Sequence, residues 1–496
     1  MSQQRTIIAI DQGTTSTRAI LFDEAGTILA QQSAEFPQHF PADGWVEHDP
    51  EDIWQTTINV TTAMVAEARS RGSLPIAIGI TNQRETAVIW DRATGEAIHN
   101  AIVWQDRRTA DICAVMKNAG YEATIKEKTG LLLDPYFTAT KFSWILDQVE
   151  GARDRAAAGE LCLGTVDSFL IWRLTGGKMH VTDATNASRT SLYNIHENDW
   201  DDDLLALFDV PRSSLPQVMD CAAEFGICEA DLFHAELPIR GVAGDQQAAA
   251  IGQGCFKPGA LKSTYGTGCF LIINTGEEPV ASKNRLLTTI CYRLNGKITY
   301  GLEGSIFVSG AIVQWLRDGL KIIGSAGETQ AIAAAQGGNN GVYIVPALTG
   351  LGAPHWAPNA RGAIYGITRN TDPADFVRAA LESVAYQTND LFSAIASDGI
   401  PVSEVRVDGG MTENDWLMQF LADIIDLPVD RPSVRETTAL GAAMLALMQS
   451  DSSITLDDLA GRWQRDVSFA PSIDKDQRSG LIAGWNLAMK RTLIKG

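Results

Sequence analysis

One pattern occurs twice in this chain: a short apolar run, a glycine turn, and a second apolar run. The first copy is Thr6–Ile10, then Asp11-Gln12-Gly13-Thr14-Thr15-Ser16-Thr17-Arg18, then Ala19–Asp23. The second is Leu261–Thr264, then Tyr265-Gly266-Thr267-Gly268, then Cys269–Asn274. Short apolar runs closed by turn residues read as buried strands. Both copies are followed by a mixture of strands and helices, so the chain is expected to be α/β and to form two related lobes. A ligand belongs in the cleft between such lobes.

The intervening signals fit that plan. Thr27–Gln31 reads as a strand joined to Ala19–Asp23 through the turn Glu24-Ala25-Gly26. Asp49-Pro50-Glu51-Asp52 offers a cap, a proline and an acidic first turn, opening a helix through about Ser70. Pro75–Ile80, Thr86–Trp90 and Ala101–Trp104 read as strands, Thr138–Val149 and Asp167–Leu174 as helices. Residues 176–240 carry no clear pattern. A second unit is expected from near Gly241, with helices at Val308–Leu320, Ala331–Ala335, Ala374–Ala396, from Asn414 and at Glu436–Leu447, and a strand at Val405–Val407.

Composition narrows the function. The chain has 496 residues and a net charge of −20. No basic stripe is evident, which argues against nucleic acid and anionic membrane surfaces. A protein this acidic must hold phosphates with local backbone donors or a metal. The seven cysteines form no CxxC pair, and their odd, scattered set fits reduced thiols in a cytosol. No apolar run approaches a membrane span, and the N-terminus is not a signal peptide. The seven histidines show no metal-ligand spacing.

Five motifs can carry chemistry. In the first loop, Gly13 lets the backbone approach a ligand, and successive N–H groups with the Thr14 and Thr15 hydroxyls can cradle a phosphate. Asp11 suits Mg²⁺ and Arg18 suits a phosphoryl group. A tight hairpin of ordinary turn residues explains the same stretch. Tyr265–Gly268 and Asp408-Gly409-Gly410-Met411 are likewise either plain turns or approaches to a nucleotide. Asp245 in Gly244-Asp245-Gln246-Gln247 is either a general base or a helix cap. Asn82-Gln83-Arg84-Glu85, with Trp104 and Tyr136, either binds vicinal hydroxyls or forms an ion pair.

Taken together these stretches resemble the FGGY family of carbohydrate kinases, relatives of actin, hexokinase and the heat-shock chaperone ATPases. The likeness covers essentially the whole chain: IAIDQGTTSTR at the start, GITNQRET at 79–86, NAIVWQDRRT at 100–109, DPYFTATKFSW at 134–144, GDQQAA at 244–249, STYGTGCF at 263–270 and RVDGGMTENDWLMQF at 406–420. The resemblance implies two actin-like (ribonuclease H-like) ATPase lobes around a central cleft. Residues 1–250 would bind acceptor and phosphates, and 251–496 would bind ATP. It implies ATP-dependent phosphorylation of a small polyol with Mg²⁺. NQRET followed by VWQDRR points to glycerol; another polyol or ketose such as xylulose is the alternative, and a non-catalytic ATP-driven module is a second.

Carried over by that resemblance, Arg84, Glu85, Trp104, Tyr136, Asp245, Gln246 and Phe270 would surround glycerol, with Asp245 as the base. Thr14, Thr15, Ser16, Arg18, Thr267, Gly310, Gln314, Gly410 and Asn414 would bind ATP, and Asp11 and Asp245 would hold the metal. A cytoplasmic homodimer or homotetramer, with no membrane insertion and no nucleic acid, is the implied setting. One stretch departs from the family. Where some members carry a glycine-rich loop for fructose 1,6-bisphosphate, this chain has Glu229-Ala230-Asp231-Leu232-Phe233-His234-Ala235-Glu236. Its three acids would repel that anion, and its surroundings match poorly the region where some members carry a phosphorylated histidine.

Overall fold

The computed structural model describes residues 5–494. Two large sheets organise it. In the first the order is Ala222–Ile227, Pro238–Gly244, Pro75–Asn82, Thr6–Gln12, Ser16–Asp23, Ile28–Glu35. In the second it is Leu287–Leu294, Lys297–Ile306, Cys269–Gly276, Ala260–Tyr265, Glu404–Asp408, Val429–Pro432, Arg465–Phe469. The two share a five-strand core. Three strands run antiparallel, the first of them pairs in parallel with one later strand, and that strand pairs in parallel with another. The sequence repeat is therefore a structural repeat, and the expected pair of related α/β lobes is what the chain forms. Each glycine turn sits at the same place in its sheet. Gln12 pairs with Thr17 around the first, and Tyr265 with Cys269 around the second.

Local chemistry sets the helices. Asp49 accepts from Glu51 N at the start of Pro50–Ser70, whose buried face carries Ile53, Val60 and Met64. Asp372 and Asp375 form a reciprocal capping box at the start of Pro373–Ser397. The expected helix Val308–Leu320 is shorter and broken: Gly310–Gln314 is α-helical, and Trp315–Gly319 is a π turn.

One expectation needs correction. Gly241 does not open a second unit, because Pro238–Gly244 pairs in parallel with Pro75–Asn82 inside the first sheet. Sequence reading missed it because parallel pairing joins residues far apart and leaves no local sign. The late helix Thr437–Ser450 also leans on the first sheet. A Cβ on Gly79 would lie 2.2 Å from the Ala442 carbonyl oxygen. This helix crosses Asp245–Gly252 so closely that side chains at Gly252 or Gly441 would strike backbone oxygens at 1.9 and 1.8 Å. A core of Ile7, Ala9, Ile251, Ile272, Ala442 and Leu445 fills the space between the sheets. The two helices thus tie the lobes together.

Beside the first sheet, His48 is fully buried with its ring edge to Phe36 at 5.0 Å, and its Nε2 has no partner. Burial, aided by His39, pushes its pKa down from 6.5 to about 4. The unfolded chain therefore takes the proton first as pH falls below 6.5. Stability is full above that pH and is lost between 6.5 and 4, by about 2 kcal/mol between pH 7 and pH 5. Melting curves at those two pH values should show a smaller loss for His48→Gln than for the natural chain. Equal losses would remove His48 as a source of acid sensitivity.

Candidate active site

The first loop lies at the end of the central strand Thr6–Gln12. Its turn closes through Gly13 N donating to Ser16 O at 2.9 Å. Gln83, from the end of the neighbouring strand, donates through Nε2 to Gln12 Oε1 at 3.0 Å and Gly13 O at 3.1 Å. Trp104 Nε1 donates to Thr14 Oγ1 at 3.0 Å. The loop is thus fastened from two sides, while Thr15 remains exposed. Arg18 is ion-paired with Glu436, so an anion reaching it must compete with that carboxylate.

The second loop borders a cavity of about 620 Å³. Thr267, Gly310, Gln314, Gly410 and Asn414, all singled out from sequence, line it together. Gly409 has φ +91, and a Cβ there would lie 2.5 Å from Tyr265 O, so glycine is required. A Cβ on Gly410 would meet nothing within 4 Å, which leaves that wall open. Asn414 caps the helix Asp415–Ile425 through Leu417 N and also donates to Thr329 Oγ1 at 3.2 Å. Met411 of the same glycine motif lines the cavity too, as do Val313 and Gln330, which carry no motif and are not singled out by the sequence.

A third group gathers where the parallel strands of the first sheet end. Arg84 and Glu85 follow Pro75–Asn82, and Asp245 follows Pro238–Gly244 as the first residue of its helix. Asp245 Oδ1 lies 3.0 Å from Arg84 Nε, and the Asp245 side chain keeps 33% of its exposure. Arg84 and Glu85 are buried. Trp104 stands edge-on to Tyr136 at 5.6 Å and to Phe270 at 6.0 Å, giving three aromatic walls. Gln246 Oε1 accepts from buried Lys262, whose Nζ also donates to Thr264 Oγ1 at 2.7 Å. This turns the Gln246 amide nitrogen away from the lysine.

Glu85 has φ +62, a strained geometry for a residue with a side chain. Its carbonyl oxygen accepts from Lys141 Nζ at 3.0 Å and Thr138 Oγ1 at 3.1 Å. Lys141 also donates to Tyr136 O at 2.7 Å, so one ammonium holds both residues. Burial pushes Lys141 down to about 7, against the opposing charge of Glu85. Buried Arg189 and Glu303 lie against Arg84 and Glu85. Sequence reading missed Lys141, Lys262, Arg189 and Glu303, for none sits in a glycine-marked motif.

The structure thus draws Arg84, Glu85, Trp104, Tyr136, Asp245, Gln246 and Phe270 into one neighbourhood linked to the first loop through Trp104. It sets Thr267, Gly310, Gln314, Gly410 and Asn414 around a separate cavity in the second lobe. Among the described residues no group of three or more His, Cys, Asp or Glu is placed to hold a metal.

Comparison with known proteins identifies the family. Residues 6–252 match the N-terminal domain model of the FGGY family of carbohydrate kinases, and 261–450 match its C-terminal domain model. "Glycerol kinase 1" of Pseudomonas aeruginosa is 60% identical over 485 residues, 98% of both chains. A glycerol kinase of Rhizobium meliloti is 59% identical over 491 residues, 98% of this chain and 99% of its own. The solved Plasmodium falciparum glycerol kinase with ADP is 38% identical, with a TM-score of 0.94, covering 100% of this chain and 99% of that one. A gluconate kinase from Lactobacillus acidophilus shares the fold at 22% identity and a TM-score of 0.88, over 99% of this chain and 98% of its own. With both halves matched in order by the two domain models, the chain belongs to the FGGY family of carbohydrate kinases.

Proposed function

We propose that this chain transfers the terminal phosphoryl group of ATP to a terminal hydroxyl of glycerol, giving sn-glycerol 3-phosphate. The observation that carries the reading is the meeting of Asp245 with Arg84, Glu85 and the Trp104–Tyr136–Phe270 walls. Two charged, buried side chains beside three aromatic faces suit a short carbon chain bearing several hydroxyls. A missing hydroxyl would leave a buried polar atom, such as Arg84 Nε, without a partner, and that is a stronger filter than carbon contact. The relatives named as glycerol kinases, matched over nearly full length, support the same substrate.

In this reading Asp245 takes the proton of the attacking hydroxyl, a contribution of about 10²–10⁴-fold. Arg84, Glu85 and Gln246 orient the hydroxyls, and Trp104 and Phe270 cover the carbons. The loop residues Thr14, Thr15 and Ser16, with Arg18, face the terminal phosphates. Thr267, Gly310, Gln314, Gly410 and Asn414 hold the nucleotide in the cavity they line; the solved Plasmodium relative was obtained with ADP. Phosphoryl transfer needs little covalent help, so catalysis is alignment and charge neutralisation. Closure of the lobes would keep water from competing as acceptor.

Asp11 and Asp245 would hold Mg²⁺. Burial pushes the Asp11 carboxyl up to about 7 against the pull of Arg18, and the charges of Asp245 and Glu436 add to the rise. Two carboxylates near enough for the charge of Asp245 to raise Asp11 would suit a hard cation that keeps most of its water. When bound, Mg²⁺ would neutralise charge on the phosphate oxygens. The proposed setting is the cytoplasm, as a homodimer or homotetramer. The seven cysteines are buried and free, which suits a reducing compartment, and no described helix is long and apolar enough to cross a membrane. No fructose 1,6-bisphosphate site is proposed at 229–236, where Ala230–Phe233 is a short helix and Glu229 is paired with Lys178.

ADP release with ATP and Mg²⁺ tests the reading across glycerol, dihydroxyacetone, xylulose and gluconate. Glycerol should give the highest kcat/KM, at least about tenfold over xylulose and gluconate. A preference for xylulose or gluconate would move the chain to another substrate within the family. ADP release indifferent to every acceptor would remove the acceptor site.

A further inference from the structure

Two buried charges at the acceptor group have no part in the mechanism above. Glu303 lies on Lys297–Ile306 of the second sheet, and Arg189 follows the short helix Ala184–Ala187 of the first lobe. Both side chains are completely buried. Glu303 Oε2 accepts from Arg84 Nη1, and its Oε1 accepts from Arg189 Nη2 at 2.8 Å. Arg189 Nε donates in turn to Glu85 Oε1 at 2.6 Å. The order Arg84, Glu303, Arg189, Glu85 alternates in sign around a ring, closed by a 4.0 Å approach of Arg84 Nε to Glu85 Oε1.

This arrangement divides labour between the two ends of each side chain. One face of Arg84 and one oxygen of Glu85 are taken up by the ring. Arg84 Nε, although 3.0 Å from Asp245 Oδ1, makes no hydrogen bond of good geometry and is left as a buried donor. A buried donor without an acceptor is costly, so it marks a place where a ligand oxygen belongs. Burial works against the charge of Glu303, yet Arg189 and Arg84 hold its carboxyl below the usual range. The planar fork of Arg189 spans two carboxylates from different lobes with donors in fixed directions, which the single ammonium of a lysine does not reproduce.

We propose that Glu303 and Arg189 are positioning residues for the acceptor. They fix Arg84 and Glu85 so that the remaining polar atoms of that pair meet the substrate hydroxyls. Because Glu303 comes from the second lobe, the acceptor pocket is complete only when both lobes contribute. The proposal rests on the phosphoryl-transfer reading given above.

The test uses Glu303→Gln, which keeps shape and removes charge, and Arg189→Lys, which keeps charge and removes the fork. In each the glycerol KM should rise at least about tenfold, while the ATP KM stays within about twofold. ADP should still raise the melting temperature as in the natural chain, and the rise given by glycerol should shrink. If Glu303→Gln does not fold, the charge-conserving Arg189→Lys decides. A natural glycerol KM in a folded variant overturns the proposal. Parallel loss of ADP and glycerol binding also overturns it, for that is what a merely structural role predicts. A natural chain idle on glycerol overturns the phosphoryl-transfer reading as well, whereas an active natural chain with unaffected variants overturns the positioning role alone.

Discussion

Asp245→Asn is expected to lower turnover of glycerol by at least about 10²-fold. The substitution keeps the size of the side chain and its place at the start of Asp245–Gly252. It also keeps an oxygen able to accept from Gln246 N, as Asp245 Oδ1 does at 2.7 Å. What goes is the negative charge and the ability to accept a proton. Glycerol binding should persist, because Arg84 and Glu85 are held by other partners. If Asp245 were a cap alone, the same substitution would cost little, since asparagine caps as well as aspartate. Initial rates with saturating ATP separate the two: near-natural turnover would remove Asp245 as base.

Arg84→Ala is expected to raise the glycerol KM by about 10²-fold or more, with a smaller change in kcat. The guanidinium pairs with Glu303 and stands beside Glu85 and Asp245. Burial opposes its charge, but Glu303 and Glu85 hold its pKa well above the ordinary value. Truncation therefore does more than delete a donor. It leaves Glu303 and Glu85 sharing Arg189 alone, and uncompensated buried charge costs several kcal/mol, about 3–5 in comparable cases. Glycerol titrations at fixed ATP, with a melting curve as control for folding, measure this. An unchanged glycerol KM would refute the assignment of Arg84.

These residues also show what a sequence alone discloses. The two glycine turns were legible because a tight turn between strands needs particular residues at adjacent positions, as at Gly13 and Gly268, where a Cβ would lie 3.2 Å from Ser16 O and 2.7 Å from Ile306 O. The same holds for Asp245, whose neighbours announce a strand end and a helix start. Arg189, Glu303, Lys141 and Lys262 were not legible. Each looks like an ordinary polar residue inside an element or, for Arg189, just after one, and its meaning comes from a partner in another part of the chain. Glu303 and Arg84 meet only after two sheets have formed and docked. The placement of Thr437–Ser450 against the first sheet was hidden for the same reason. Its alanines and Gly441 announce a helix, while the close crossing of Asp245–Gly252 depends on backbone geometry. Gly241, read as the opening of a second unit, lies within a strand whose parallel partner was read separately.

The most direct measurement is a crystal structure of this chain with glycerol and a non-hydrolysable ATP analogue bound together. It should place a terminal glycerol oxygen within hydrogen-bond reach of an Asp245 carboxylate oxygen, roughly 2.6–3.2 Å, and in line with the last phosphorus. Glycerol seated away from Asp245, or a nucleotide whose last phosphate points out of the cleft, would contradict the account.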